Sequence, residues 1–243
     1  MDFQEYEKMF ALESSHFWFR GTRHLIFKLL VRFLPAGPNP RILDLGCGTG
    51  STLFELGEKG SAVGLDRSET ALRFCRSRGL SRLVRSKAGE LPIRSESFDA
   101  VLALDLFEHL GDDGPAAREA FRVLRPGGCL IVSVPAFPYL FSAHDRALGH
   151  FRRYREKDLL ALIARAGFEL LKSSPMNFFL FLPILVYRAA RRGKQPGSGS
   201  DLFALPAPLN RLLLGLLRLE TLIVLRFRLP LGVSLIVAAR KPR

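Results

Sequence analysis

The fold class follows from one segment, Ile42-Leu43-Asp44-Leu45-Gly46-Cys47-Gly48-Thr49-Gly50. Its apolar start indicates a short strand, and its glycines allow a sharp turn into a helix and let the backbone approach a ligand closely. Asp44 would repel a pyrophosphate and suits a cationic amino group instead. A dinucleotide-binding loop also places glycine where this chain has Ser51. The segment therefore predicts a ligand site at a strand end and disfavours a dinucleotide.

Outward from this segment, apolar strands alternate with helices. The predicted strands are Arg41–Leu45, Ala62–Leu65, Phe98–Leu104, Cys129–Val134, Phe168–Ser173 and Val233–Ala239. The predicted helices are Thr52–Lys59, Glu69–Ser77, Ala116–Leu124, which ends at the turn Arg125-Pro126-Gly127-Gly128, and Lys157–Ala166. This alternation indicates βαβ units. We therefore predict an α/β fold, with a Rossmann-like, mostly parallel seven-stranded sheet and helices on both faces.

A second acid, Asp66, ends the second predicted strand. A carboxylate at this place can accept hydrogen bonds from two ribose hydroxyls. Aspartate is also favoured as the N-cap of a helix, which is the structural alternative. The glycine segment upstream favours the ribose role.

Together these features resemble the class I S-adenosylmethionine-dependent methyltransferases of the small-molecule type. The resemblance covers residues 41–134 and rests on Ile42–Gly50, Asp66, Ser97–Val101, Asp105–Leu110 and Val123–Gly128. It implies S-adenosyl-L-methionine as the cofactor, with the methionine part over the glycine loop. The candidate cofactor-binding residues are Asp44, Gly46, Cys47, Gly48, Asp66, Arg67, Ala88, Gly89, Glu90, Leu104 and Asp105.

One position departs from this family. Lys87 stands where an aspartate usually binds the adenine amino group. Either Glu90 takes over that contact, or the backbone groups of Ala88 and Gly89 suffice.

Methyl transfer from a sulfonium is one displacement, so the enzyme must hold the acceptor in line and manage one proton. His109 follows the Phe98–Leu104 strand and is a candidate base, with a structural histidine as the alternative. A polar segment farther along, which comprises Ser142–Asp145 and Gly149–Tyr154, adds His144, His150 and Tyr154 as catalytic candidates. No group of His, Cys and carboxylates has metal-ligand spacing, so no metal is expected.

That polar segment has an alternative interpretation as a surface loop paired to Glu156 and Asp158. Its arginines suit a carboxylate or a phosphate. The segment and the aromatic stretch His16–Arg20 are similar to a bacterial subgroup of these methyltransferases.

The chain is predicted to form one domain. It divides into an N-terminal helical cap (1–40), a core (41–175), an apolar helical insertion (176–230) and the last strand with its tail (231–243). Residues 2–34 are predicted to be helical.

The insertion contains two apolar stretches around the loop Arg191–Ser200. Phe178–Tyr187 is too short to span a bilayer, and Leu209–Phe227 is amphipathic, although Glu220 falls on its apolar side. The insertion is either a cap over the acceptor pocket or a membrane-surface patch. The second interpretation draws on flanking basic residues, which are Arg188, Arg191, Arg192 and Lys194.

Composition limits the remaining classes. The 243 residues carry a formal net charge of +13, which favours acidic partners such as anionic lipid, yet no nucleic-acid-binding signature accompanies it. The three cysteines form no pair or zinc pattern, so a cytoplasmic location is expected, with membrane association as an option.

We therefore predict a methyltransferase acting on an O, N or C atom of a small, hydrophobic or lipid-like acceptor. The alternatives are a non-catalytic cofactor-binding partner protein and a Rossmann oxidoreductase.

Overall fold

The structure is a computed structural model that describes residues 3–57, 60–190 and 203–243, with the backbone alone for 187–190. The predicted loop Arg191–Ser200, with its basic residues, lies outside the described residues, as does the side chain of Arg188.

Seven strands form one sheet. They are β1 (Arg41–Leu45), β2 (Ser61–Asp66), β3 (Leu83–Arg85), β4 (Phe98–Leu104), β5 (Leu124–Pro135), β6 (Glu169–Met176) and β7 (Ser234–Arg240). Their order is β3-β2-β1-β4-β5-β7-β6, and β7 runs antiparallel to both of its neighbours. The prediction of a mostly parallel seven-stranded α/β sheet is confirmed.

Nine α-helices are assigned within the described residues. They are α1 (Phe3–Leu12), α2 (Phe17–Phe33), α3 (Ser51–Gly57), α4 (Glu69–Ser77), α5 (Gly114–Val123), α6 (Ala143–Leu148), α7 (Glu156–Arg165), α8 (Phe181–Ala190) and α9 (Ala207–Arg226). Short 3₁₀ turns cover Phe107–His109 and Pro138–Leu140.

The strands bury side chains on both faces. In β1, Leu43 and Leu45 belong to one core cluster, which α5 and α7 cover, whereas Ile42 belongs to the other, which α2 and α9 cover. Because successive side chains of a strand point to opposite faces, both faces need helices to exclude water. The predicted two-faced arrangement is thus confirmed.

The structure corrects several local predictions. The N-terminal segment is two helices, because His16 caps α2 by accepting a hydrogen bond from Trp18 N at 3.3 Å. The predicted turn from Arg125 to Gly128 lies within β5, which begins at Leu124 beside Phe98. The strand β3 was not predicted, because three residues are too few to show a period.

The insertion packs on the N-terminal cap through α9 and α2. A Cβ on Gly21 would lie 2.5 Å from Leu217 Cδ1, so glycine permits this close contact. Glu220 is buried there, and its carboxylate accepts hydrogen bonds from the backbone N–H groups of Asn177 and Phe179. This explains an acid on the apolar side of α9. No helix among the described residues is long and apolar enough to cross a bilayer.

Candidate active site

The glycine segment turns from β1 into α3 with a backbone that only glycine adopts easily. Gly46 has φ 81° and Gly48 has φ 53°. A Cβ on Gly46 would also lie 2.8 Å from Leu106 Cδ1. Gly46 N and Cys47 N both donate to Leu65 O, which ties the turn to the end of β2.

Two carboxylates lie beside this turn. Asp66 accepts hydrogen bonds from Gly48 N at 3.0 Å and Ser68 N at 2.8 Å. Burial raises the pKa of Asp66, and these N–H groups oppose that shift. Asp44 is 2% exposed, and its Oδ2 has no hydrogen-bond partner among the described residues. Burial, with the nearby charges of Asp66 and Glu13, raises the pKa of Asp44 to about 7.

The N-terminal segment binds the glycine segment through Glu13. Glu13, which directly follows α1, accepts a hydrogen bond from Thr49 Oγ1 and pairs with Arg78 at 2.5 Å. Arg78 Nε also donates to Thr49 O at 2.9 Å. The N-terminal segment thereby becomes part of the site, although the sequence pattern gave Glu13 no role.

A cavity of about 670 Å³ lies at the carboxyl ends of the strands. Most of the predicted cofactor-binding residues line it, namely Asp44, Gly46, Cys47, Gly48, Asp66, Arg67, Ala88, Leu104 and Asp105. The predicted residues Gly89 and Glu90 do not. Gly89 lies beside Pro115, and Glu90 is exposed to solvent. The cavity therefore gives no support to an adenine contact by Glu90, whereas Ala88, which belongs to the backbone alternative, does line it.

The other walls of the cavity are apolar. They come from the N-terminal cap and from the insertion, and include Phe17, Trp18, Phe19, Ile26, Ile184, Leu205, Leu213 and Val233. One cavity thus joins the carboxylates beside the glycine turn to an apolar compartment, a combination typical of small-molecule sites.

Histidines lie at the end of the cavity beyond β4. His109, His144 and His150 all line it, and the rings of His109 and His150 meet edge to face with centroids 4.7 Å apart. Burial, followed by the neighbouring His150, lowers the pKa of His109 to about 4. The structure therefore brings together three of the four predicted catalytic residues.

The fourth, Tyr154, does not line the cavity. It is buried, and its hydroxyl donates to Asp113 Oδ2 at 2.5 Å. Its backbone bridges to Ala136 after β5. Tyr154 holds the segment that carries His150 in place. The predicted alternative pairing with Glu156 is not seen, because Glu156 binds Ser173 and Arg228 instead.

An acid that the sequence pattern did not single out lies beside these histidines. Glu108 is fully buried, and neither of its carboxylate oxygens has a hydrogen-bond partner among the described residues. Burial, and then the charge of Asp105, raise the pKa of Glu108 well above its ordinary value. One ligand atom each from Glu108, His109 and His150 lie within 4.8 Å of one another.

Asp145 supports this group from behind. It accepts hydrogen bonds from His150 Nδ1 at 3.0 Å and from Arg153 Nε at 2.8 Å. Burial alone would raise the pKa of Asp145, but these two partners lower it below its ordinary value. His150 is therefore held by a charged carboxylate.

Comparisons with known proteins agree with this geometry. Residues 43–132 match the methyltransferase domain family. Over 163 residues the chain is 32% identical to a probable S-adenosylmethionine-dependent methyltransferase of Mycolicibacterium smegmatis, an alignment that covers 65% of this chain and 62% of that protein. It is 34% identical over 139 residues to a ubiquinone/menaquinone biosynthesis C-methyltransferase of Vibrio vulnificus, covering 51% and 54%. The chain thus spans less than two thirds of the length of these relatives.

A solved structure shows the same fold. An S-adenosylmethionine-dependent methyltransferase of Thermotoga maritima superposes with a TM-score of 0.64, covering 98% of this chain and 95% of that one at 20% identity. The residues of the cavity suit this cofactor. Asp44 lines the cavity with a buried oxygen that has no hydrogen-bond partner among the described residues, and a cationic amino group would supply one. These similarities support the predicted methyltransferase family over the oxidoreductase alternative. Residues 43–132 thus match the methyltransferase domain family, and the chain is similar to S-adenosylmethionine-dependent methyltransferases over 65% of its length.

Proposed function

We propose that this chain transfers a methyl group from S-adenosylmethionine to a small, largely apolar acceptor bound in the cavity. One observation carries the proposal. The same cavity is lined by the acids Asp44 and Asp66, by histidines, and by apolar side chains from the N-terminal cap and the insertion.

In this proposal, the carboxylates hold the cofactor. Asp44 receives the cationic amino group, and Asp66 accepts hydrogen bonds from the ribose while its own N–H partners keep it in place. When bound, S-adenosylmethionine supplies an activated methyl group. The turn at Gly46 and Gly48 lets the ligand approach the backbone.

The apolar walls select the acceptor. Side chains such as Trp18, Ile184 and Leu213 gain when a hydrophobic molecule displaces water from them, by about 25 cal/mol per Å² of apolar surface. His109, His144 and His150 line the end of the cavity that receives the polar group of the acceptor. The Vibrio relative is named for ubiquinone/menaquinone biosynthesis, which supports a lipid-like acceptor.

We also propose that the insertion brings the enzyme to an anionic membrane surface. Leu212 (69% exposed), Leu219 (51%) and Leu222 (59%) project from α9, whose other face packs on α2. A row of exposed leucines next to basic residues suits an interface between water and lipid. Packing on the domain and contact with lipid thus become compatible, because they use different faces of α9.

Cofactor binding and turnover test the proposed function together. Asp66→Ala should weaken S-adenosylmethionine binding about ten- to a hundredfold, because a charge-assisted hydrogen bond contributes about 1.5–3 kcal/mol. Asp158→Ala, which removes an exposed acid on α7, is the matched control and should bind normally.

Turnover is measured with cofactor carrying an isotopically labelled methyl group, against quinone, fatty-acyl and phenolic acceptors. The expected product is an acceptor heavier by one labelled methyl, formed by the wild type and the control. If Asp66→Ala bound the cofactor normally, its ribose role would be wrong. If no apolar acceptor gained a methyl, the proposed acceptor class would be wrong.

A further inference from the structure

The strongest unexplained feature of the cavity is the group formed by Glu108, His109 and His150. A buried carboxylate with no partner is costly, since nothing replaces the water that it loses on folding. Glu108 is among the residues that line the cavity, and both of its carboxylate oxygens are buried without a partner among the described residues. The cost falls if a cation occupies that place.

Hydrogen bonds orient the two imidazole rings as in histidines that bind a metal ion. His109 Nδ1 lies 3.3 Å from Gly149 O, and His150 Nδ1 lies 3.0 Å from Asp145 Oδ1. Since both partners are acceptors, each Nδ1 is the donor, and Nε2 is the ring nitrogen available to a metal ion. Histidines that bind metals are oriented in this way by a carbonyl or a carboxylate on the other nitrogen.

Hydrogen bonds to backbone carbonyl groups hold the two segments of the group in register. Glu108 and His109 lie in the 3₁₀ turn after β4, and His150 follows α6, 41 residues later in the chain. Phe151 N donates to Glu108 O at 2.7 Å, and Arg152 donates to Leu110 O at 3.2 Å. These bonds explain how distant residues form one group without metal-ligand spacing in the sequence.

We propose that Glu108, His109 and His150 bind one divalent transition-metal ion of the zinc type in the acceptor part of the cavity. Two imidazoles and one carboxylate are a known ligand set for zinc, and imidazole disfavours Mg²⁺. The ligand atoms lie within 4.8 Å of one another, and a tetrahedral zinc site needs separations of about 3.3 Å, so metal binding requires the side chains to close by no more than about 1.5 Å.

The ion leaves one position open toward the cavity, where it holds an oxygen donor of the acceptor. This part of the inference rests on the proposed function and deepens it, because it selects hydroxylated acceptors such as phenols and enols. It also departs from the sequence-based expectation that the chain uses no metal.

Metal binding is tested on the full chain, stripped with a chelator and titrated with Zn²⁺ and, separately, Mg²⁺ by calorimetry. We expect one Zn²⁺ per chain and at least tenfold weaker Mg²⁺ binding. Glu108→Gln and His109→Ala should each weaken zinc binding about a hundredfold, whereas His24→Ala, a histidine on α2 outside the cavity, should not. His109→Ala keeps the test usable if Glu108→Gln does not fold.

The two proposals fail separately. Asp66→Ala should lose cofactor affinity and keep zinc, and Glu108→Gln should lose zinc and keep cofactor affinity. Zinc that binds all variants equally, or not at all, would overturn the metal site while leaving cofactor binding intact. So would a wild type that ignores zinc but binds a primary amine through Glu108, since the group would then serve an amine acceptor.

Discussion

The proposed contact between Asp44 and the amino group of the cofactor predicts that cofactor affinity depends on pH near neutrality, because the pKa of Asp44 is raised. Burial and the neighbouring acids raise this pKa to about 7, so in the free protein Asp44 is partly protonated at pH 7. A cationic amino group binds the ionised form, and therefore affinity must fall as pH drops through 7. The matched perturbation is Asp44→Asn, which keeps the shape of the side chain and removes its titration.

The magnitude follows from the fraction of Asp44 that is ionised. With a pKa of about 7, protonation weakens the apparent Kd by a factor of about 1.3 at pH 7.5 and about 11 at pH 6.0. S-adenosylmethionine should thus bind about eightfold more weakly at pH 6.0, a loss of about 1.3 kcal/mol. At pH 6.0 binding should also release about 0.9 proton. His109, with its pKa lowered to about 4, does not titrate in this range.

Calorimetry measures both effects. The Kd is followed from pH 6.0 to 7.5, and the heat of binding is compared in buffers of different ionisation enthalpy to count the released protons. Asp44→Asn should bind more weakly at pH 7.5, release no proton and show a flat profile. A flat profile in the wild type, or an unchanged slope in Asp44→Asn, would refute the role of Asp44.

Three further predictions follow from the packing and the surface. Gly21→Ala should destabilise the fold by about 1–3 kcal/mol because its Cβ would collide with α9, whereas Gly215→Ala, in open space on α9, should raise the Tm; equal Tm shifts would contradict this packing. His144→Ala should lower turnover with cofactor affinity within about threefold, and unchanged turnover would place the acceptor elsewhere. Replacing Leu219 and Leu222 together by Gln should abolish flotation with anionic vesicles at low salt, and a wild type that does not float would exclude the membrane role.

These surface substitutions are a better membrane test than deleting the insertion. The buried face of α9 packs against α2, and Glu220 holds the backbone after β6. A deletion would expose the core whether or not lipid binds, so its result would not separate the two interpretations.

The sequence predicted those features of the site that depend on residues close together in the chain. Glycines at positive φ, an acid before them and an acid ending the next strand are close in the chain, so their spacing alone indicated the cofactor end. The break between α1 and α2 was missed because helical periodicity continues across it, and only the cap at His16 shows where it falls. α6 was missed because a helix of six residues is too short to show a helical period.

The acid beside the histidines was missed for a different reason. Glu108 was visible only as part of a motif, and nothing in its neighbours shows that it is buried or that His150 lies beside it. Tyr154 was predicted to be catalytic from the same polar segment, but only the fold shows that its hydroxyl turns toward Asp113. Burial and partners depend on pairings across tens of residues, and sequence spacing does not report them.

The two ends of the cavity are built from different parts of the chain. The proposed cofactor end is built largely from residues inside the matched region, 43–132, such as Asp44, Gly46 and Asp66. Much of the acceptor end is built from residues outside it, such as Trp18, His150 and Leu213. A mutation in these outer segments can change the size and polarity of the acceptor compartment without disturbing Asp44 or the glycine turn. Selection can thus vary the acceptor while the cofactor site stays fixed, so acceptor specificity has to be sought in the N-terminal cap, the segment after β5 and the insertion.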